Sequence, residues 1–234
     1  MTTVIVPGRR ELRASLDGPE DAPLGVVACP PHPELGGNRH DRRLVAVADA
    51  LAGRGIACLR MDYGPYDEGR AEVEDCRRAV ARVAEHCDRI GLFGYSFGAG
   101  VVLLAAGGWS DTAAGNTAPE NSDGEPASGT AGRRLPWTPD DAALVGVSAL
   151  APPASLSAGQ PVPPHLEAIR CPVQVLVGER DTTVDSGPVA ACAREAGHAV
   201  RTLSADHFFI GQDEMIATAV AEFFADVLEA DEVG

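Results

Sequence analysis

Residues 91–100 read GLFGYSFGAG, and Gly94-Tyr95-Ser96-Phe97-Gly98 within them match the pattern G-x-S-x-G. A serine hydroxyl is a weak nucleophile at neutral pH, so a chain that uses one needs a base to take its proton and a third group to orient that base. The pattern serves this chemistry when a strand enters it and a helix leaves it. The sharp turn then lifts the hydroxyl above the sheet edge and aims the next main-chain N–H, that of Phe97, at a developing oxyanion. "RIGLF" before the motif has the character of a buried strand, and "GAGVVLLAA" after it that of an apolar helix.

Six histidines could supply the base. His207, in "SADHFF", lies just past the last predicted strand, where a loop can bring an imidazole over the sheet edge. For the orienting carboxylate the sequence favours Asp181, which ends "VQVLVGERD", a hydrophobic strand followed by a polar turn; open α/β sheets place their sites at that carboxyl edge. Glu179 and Asp185 are its nearest competitors. Asp206, next to His207, is a poorer choice because neighbouring side chains on an extended segment diverge. The order Ser, Asp, His along the chain is the one that this kind of turn uses. A second N–H for the oxyanion is expected from "CPPHPELGGN" at 29–38, which follows the first buried strand. The N–H of Glu34 or Leu35 is the expected donor, with Leu35 preferred; prolines 30, 31 and 33 have no N–H to give and stiffen the loop. His32 in the same loop reads as a packed or surface residue. Histidines 40, 86, 165 and 198 have no constellation around them. No cluster has metal-ligand spacing, and neither GxGxxG nor GxxxxGK[ST] occurs, so no cofactor and no metal are expected.

The elements that must position these groups follow from periodicity. Two short strands flank Pro7-Gly8 and close at Gly18-Pro19. Leu24–Cys29, Ile56–Met61 and Arg89–Phe93 are apolar runs without alternation, as strands buried on both faces require. Between them, Leu44, Val45, Ala48, Leu51 and Ala52 mark one helical face, and Val73, Cys76, Val80, Val83 and Cys87 mark another that predicts a helix from Arg70 to Cys87. "AALVGVSALAPP" predicts a further strand, "CPVQVLVGERD" beyond a Pro-rich connection another that ends in a polar turn, Gly187–Gly197 a helix, "HAVRTLSADHFF" the segment of the last strand, and the stretch from Met215 to Leu228 a C-terminal amphipathic helix. Alternation of strands and helices implies a mostly parallel sheet with helices on both faces. From about 109 to 141 the composition turns to Gly, Ser, Thr, Asn, Pro, Asp and Glu, which reads as a flexible polar insertion within one domain spanning 1–234.

Composition narrows the partners. The net charge is −15, from 34 acidic residues against 19 basic ones, and all 19 are arginine. So negative a field disfavours nucleic acid and anionic membrane surfaces. High acidity without lysine resembles the proteins of salt-loving microbes, whose carboxylates keep the surface hydrated while concentrated salt screens their repulsion. No run approaches the roughly 18 apolar residues of a membrane span, and "MTTVIVPGRR" lacks a secretory core, so a cytoplasmic protein with buried reduced thiols at its six cysteines is expected. The partner expected is a small acyl substrate; the sequence leaves the oligomeric state open.

"HPELGG", "GYSFGA", "VLVGERDTTV" and "ADHFF" resemble segments of the α/β-hydrolase superfamily, closest to its small, lidless dienelactone-hydrolase-like serine esterases. The likeness runs from about Leu24 to the C-terminus, interrupted by the polar insertion. It implies an α/β-hydrolase fold without a substantial cap domain. Ser96 is then the nucleophile, Asp181 the acid and His207 the base of a triad, with the N–H groups of Phe97 and Leu35 as the oxyanion hole. It also implies hydrolysis of a carboxylic ester through an acyl-enzyme. A thioesterase, peptidase, acyltransferase or lyase would use the same parts, and a binding protein can keep such a fold without activity. Two features depart from the pattern: dienelactone hydrolases have cysteine where this chain has Ser96, and "MDYGPYDEG" replaces the Arg-Gly turn that many relatives carry after the strand at 56–61.

Overall fold

Apolar runs too short and too continuous for helices have no exposed side to present, and the chain builds the centre of its sheet from them. The computed structural model describes residues 2–8, 10–19, 21–109, 142–157 and 159–233. Thr2–Val6 (β1) and Leu12–Asp17 (β2) form an antiparallel pair. Leu24–Cys29 (β3) is buried at all six residues and leads through a loop to the helix Arg42–Ala52 (α1). Asp41 caps that helix by accepting the Arg43 N–H at 2.9 Å. Ala57–Met61 (β4), Arg70–Val83 (α2), Arg89–Tyr95 (β5) and Phe97–Gly107 (α3) follow. Beyond 142 come Ala143–Leu150 (β6), the two-residue strands Ser155–Leu156 (β7) and Gln160–Pro161 (β8), and the turn of helix Pro163–Leu166 (α4). Val173–Gly178 (β9), Gly187–Glu195 (α5), Ala199–Leu203 (β10) and Asp213–Val233 (α6) complete the chain.

The main sheet has the order β1-β2-β4-β3-β5-β6-β9-β10. Every pairing from β4 to β10 is parallel, and β2 joins β4 antiparallel. Helices α2, α3 and α5 bury their apolar faces on one side of the sheet, and α1 with α6 cover the other. The carboxyl ends of β3, β5, β6, β9 and β10 therefore share one rim.

Two elements differ from expectation. The helix expected from Arg70 to Cys87 ends at Val83: the N–H groups of His86 and Cys87 both turn back to the Val83 carbonyl, and Cys87 stays buried in the turn that follows. The Pro-rich connection, which has no periodicity to read, holds the β7–β8 hairpin and α4. Its anchor is Leu156, 2% exposed, whose side chain lies where a carbon added to Gly69 or Gly100 would stand, at 2.8 and 2.7 Å. The polar insertion expected at about 109–141 lies outside the described residues except for Trp109, which packs on the larger core. Among the described residues no helix is long and apolar enough to cross a membrane. All six cysteines are thiols; Cys29, Cys58, Cys76 and Cys87 are buried, and Cys171 and Cys192 half-buried.

Candidate active site

The turn between β5 and α3 closes only because two residues lack a side chain. A carbon added at Gly94 would lie 2.2 Å from the Gly98 carbonyl oxygen, and one added at Gly98 would lie 2.3 and 2.4 Å from the carbonyl oxygens of Cys29 and Pro30. Between them Ser96 is held at φ 56°, ψ −120°, left-handed backbone that a non-glycine residue adopts only when its surroundings impose it. The Ser96 N–H donates to the Leu150 carbonyl at 2.8 Å, tying the turn to the end of β6. Phe97 is the first residue of α3, so its N–H has no acceptor within the helix.

Ser96, His207 and Asp181 meet at this rim. The Ser96 hydroxyl lies 2.9 Å from His207 Nε2, and His207 Nδ1 lies 2.8 Å from Asp181 Oδ2. A carboxylate only accepts, so Nδ1 carries the proton and Nε2 is left to accept from the hydroxyl. Asp181 is fixed in turn by the N–H groups of Thr183 and Val184, which donate to its other oxygen at 2.9 and 3.2 Å. Its sequence competitors do other work: Asp185 accepts the Gly187 N–H at the start of α5, and Asp206 accepts the Phe208 N–H. Ser96 is 8% exposed and His207 5%.

Tyr95 and Arg43 are parts of the site that sequence reasoning missed. The Tyr95 hydroxyl donates to the His207 carbonyl at 2.9 Å, and burial pushes its phenol up to about 12, so it stays a donor. Arg43 donates to the Phe208 carbonyl at 2.8 Å, pairs with Asp41, and lies over the Tyr95 ring at 4.3 Å. The histidine loop is thus held by the residue next to Ser96 and by the first turn of α1. The only trace in sequence is the tyrosine in the first variable position of the G-x-S-x-G motif.

The loop after β3 corrects one expectation. Pro33–Leu35 folds into a 3-10 turn in which the Leu35 N–H donates to the His32 carbonyl at 3.1 Å, and the Leu35 side chain is 85% exposed. Leu35 is therefore not the second oxyanion donor, because its N–H already has an acceptor. In the same loop, the N–H groups of His32 and Glu34 have no acceptor among the described residues. The loop is pinned from a distance: Asp62 accepts the Arg39 N–H at 2.7 Å and pairs with its guanidinium, while buried Arg60 donates to the Arg39 carbonyl and pairs with Asp17 at 2.8 Å. Beside it, the stretch that replaces the Arg-Gly turn packs its tyrosines around Phe97: Tyr63 edge-on at 5.7 Å and Tyr66 at 6.1 Å between ring centroids, with the His32 ring at 5.0 Å.

Ser96 and His207 open on a cleft of about 420 Å³ whose walls include His32, Tyr95, Phe97, Leu156 and Val184. Asp41 and Arg43 are the charged carboxylate and guanidinium on its wall, and they are paired with each other. Among the described residues no group of three His, Cys, Asp or Glu side chains is placed to hold a metal ion.

No protein-family model and no curated protein matches the chain. Solved structures do. An α/β serine hydrolase homologue from Coxiella burnetii is similar with a TM-score of 0.69 and 21% identity, over 94% of this chain and 96% of that one. Est1E from Butyrivibrio proteoclasticus gives 0.70 and 18% over 97% and 99%, and an α/β serine hydrolase without lid from Xanthomonas campestris gives 0.65 and 24% over 94% and 92%. The sheet order, the strained serine turn and these likenesses together show that this chain has the α/β-hydrolase fold.

Proposed function

We propose that the protein is a serine hydrolase that cleaves a carboxylic ester through an acyl-enzyme. The single observation that carries this reading is the hydrogen-bonded sequence Ser96 Oγ, His207 Nε2, His207 Nδ1, Asp181 Oδ2, with steps of 2.9 and 2.8 Å, opening on a cleft. Ser96 attacks the acyl carbonyl while His207 takes its proton, and Asp181 holds the imidazolium that forms. The oxyanion is stabilised by the N–H groups of Phe97 and His32; removing one such donor costs on the order of 3 kcal/mol of transition-state stabilisation. His207 then passes its proton to the departing alkoxide. Water, deprotonated by the same imidazole, attacks the acyl-enzyme and releases the acid and Ser96.

An uncharged substrate is supported by the pairing of Asp41 with Arg43 on the cleft wall. Similarity to a structure described as an esterase, Pf2001 from Pyrococcus furiosus, favours an ester over the other acyl bonds. The test is labelling with a fluorophosphonate probe alongside turnover of activated short-chain esters, in low and in multimolar salt. The wild type is expected to label and to hydrolyse, and Ser96→Ala to do neither. A wild type that does neither in any salt would make the fold here a binding module.

A further inference from the structure

The wall of the cleft formed by the β7–β8 hairpin carries a polar relay that the hydrolytic steps do not use. Tyr66 stands between two partners: its hydroxyl lies 3.1 Å from His32 Nε2 and 2.5 Å from Ser157 Oγ. The His32 and Tyr66 rings lie 4.7 Å apart and tilted, and both pack on Phe97, so the imidazole has little freedom to turn. His32 and Ser157 line the cleft together with Ser96.

The direction of this relay follows from one buried atom. His32 Nδ1 is buried and has no hydrogen-bond partner among the described residues. A neutral imidazole protonates one nitrogen only, and an unpaired buried lone pair is tolerated more readily than an unpaired buried N–H. The proton is therefore on Nε2, which donates to the Tyr66 oxygen. Tyr66 has a single hydrogen, and with its oxygen accepting from His32 that hydrogen goes to Ser157. Ser157 Oγ then accepts, and its own hydrogen has no acceptor among the described residues. Each donation polarises the next, which makes the terminal hydroxyl a better donor than an isolated serine.

We propose that Ser157, oriented by Tyr66 and His32, donates this hydrogen to an ether, hydroxyl or carbonyl oxygen of the substrate. The preferred substrates are then neutral esters with an oxygen acceptor beyond the scissile group. This inference rests on the hydrolase reading above and narrows it from esters in general to oxygenated ones. Tyr66 and His32 act through Ser157 as positioning residues. Leu156, buried between Gly69 and Gly100, fixes the backbone from which Ser157 projects.

The test compares esters that differ by one methylene replaced by oxygen: butanoyl against methoxyacetyl on the acyl side, and butyl against 2-methoxyethyl on the alcohol side. Taking the variant-to-wild-type ratio of kcat/KM for each removes their intrinsic reactivities. In at least one pair, Ser157→Ala is expected to lower kcat/KM for the oxygenated member about tenfold more than for its methylene twin, chiefly through KM. Tyr66→Phe should reproduce part of that selective loss, and Ser157→Thr, which keeps the hydroxyl, should restore the discrimination. Equal effects on both members of both pairs, within about twofold, would overturn the proposal while leaving the hydrolase reading intact. A wild type that turns over none of the four esters and takes no fluorophosphonate label would overturn both.

Discussion

Two loops flank the position where a substrate carbonyl would sit, and they are held by different forces. The turn around Ser96 is held by backbone contact: Gly94 and Gly98 are in van der Waals register with main-chain atoms and leave no room for a carbon. The loop from Pro30 to Asp41 is held by charge: Asp62 and Arg60 grip Arg39 from β4 and the residue after it, and Asp41 grips Arg43. A steric lock is indifferent to ionic strength and fails abruptly, because cores and tight turns are close-packed. A charge clamp yields gradually and is screened by salt. Ser96, the proposed nucleophile, is thus mounted on the stiffer of the two supports.

Gly98→Ala strikes the stiff side, since its new carbon would stand 2.3 Å from the Cys29 carbonyl oxygen. We expect a loss of about 100-fold or more in kcat/KM and roughly 1–3 kcal/mol of stability in chemical unfolding; near-native values would show that the turn is not sterically closed. On the other side, His32→Pro removes the proposed oxyanion N–H at a residue whose φ of −54° suits proline. It is expected to lower kcat about 100-fold, against about tenfold or less for His32→Ala, which keeps the N–H. Equal losses would mean that the ring, not the main chain, matters.

Smaller effects sharpen the contrast. Asp62→Asn loosens the clamp on Arg39 and is expected to lower kcat/KM about tenfold in dilute buffer, with the deficit shrinking as salt is raised, whereas that of Gly98→Ala should not change. Tyr95→Phe removes the donor to the His207 carbonyl, a bond of about 1 kcal/mol, so kcat should fall about fivefold. Because the phenol titrates only at about 12, that ratio should stay flat from neutral pH to about pH 10. Last, with a net charge of −15, molar KCl is expected to raise the melting temperature by a few degrees, about 1 kcal/mol for a chain of this size. Equal midpoints in low and high KCl would count against a salt-adapted surface.

The same division explains what could be read in the sequence. Ser96 and Asp181 each follow an apolar run and His207 follows a short, mostly exposed edge strand; in a parallel sheet the carboxyl ends of the strands share a rim, so their meeting was legible without knowing the packing. That Asp181 rather than Asp185 faces the imidazole was legible only as a preference, since both sit in one turn and the outcome depends on which N–H groups each captures. Leu35 was misread for a local reason. Pro33 at the first position starts a helical turn, and the i to i−3 bond that follows engages the Leu35 N–H. The contacts of Tyr95 with His207, Arg43 with Phe208 and Arg60 with Arg39 join residues 112, 165 and 21 positions apart, and no periodicity announces them. The β7–β8 hairpin is two residues a side, too short to alternate.

The close approach of Gly98 to the Cys29 and Pro30 carbonyls also gears the two loops together. Neither can be transplanted from another scaffold without its mate, because a shifted end of β3 would press on the helix that begins beside Ser96. Remodelling for new substrates is better directed at Thr183, Val184 and the β7 wall, which border the cleft without touching that joint.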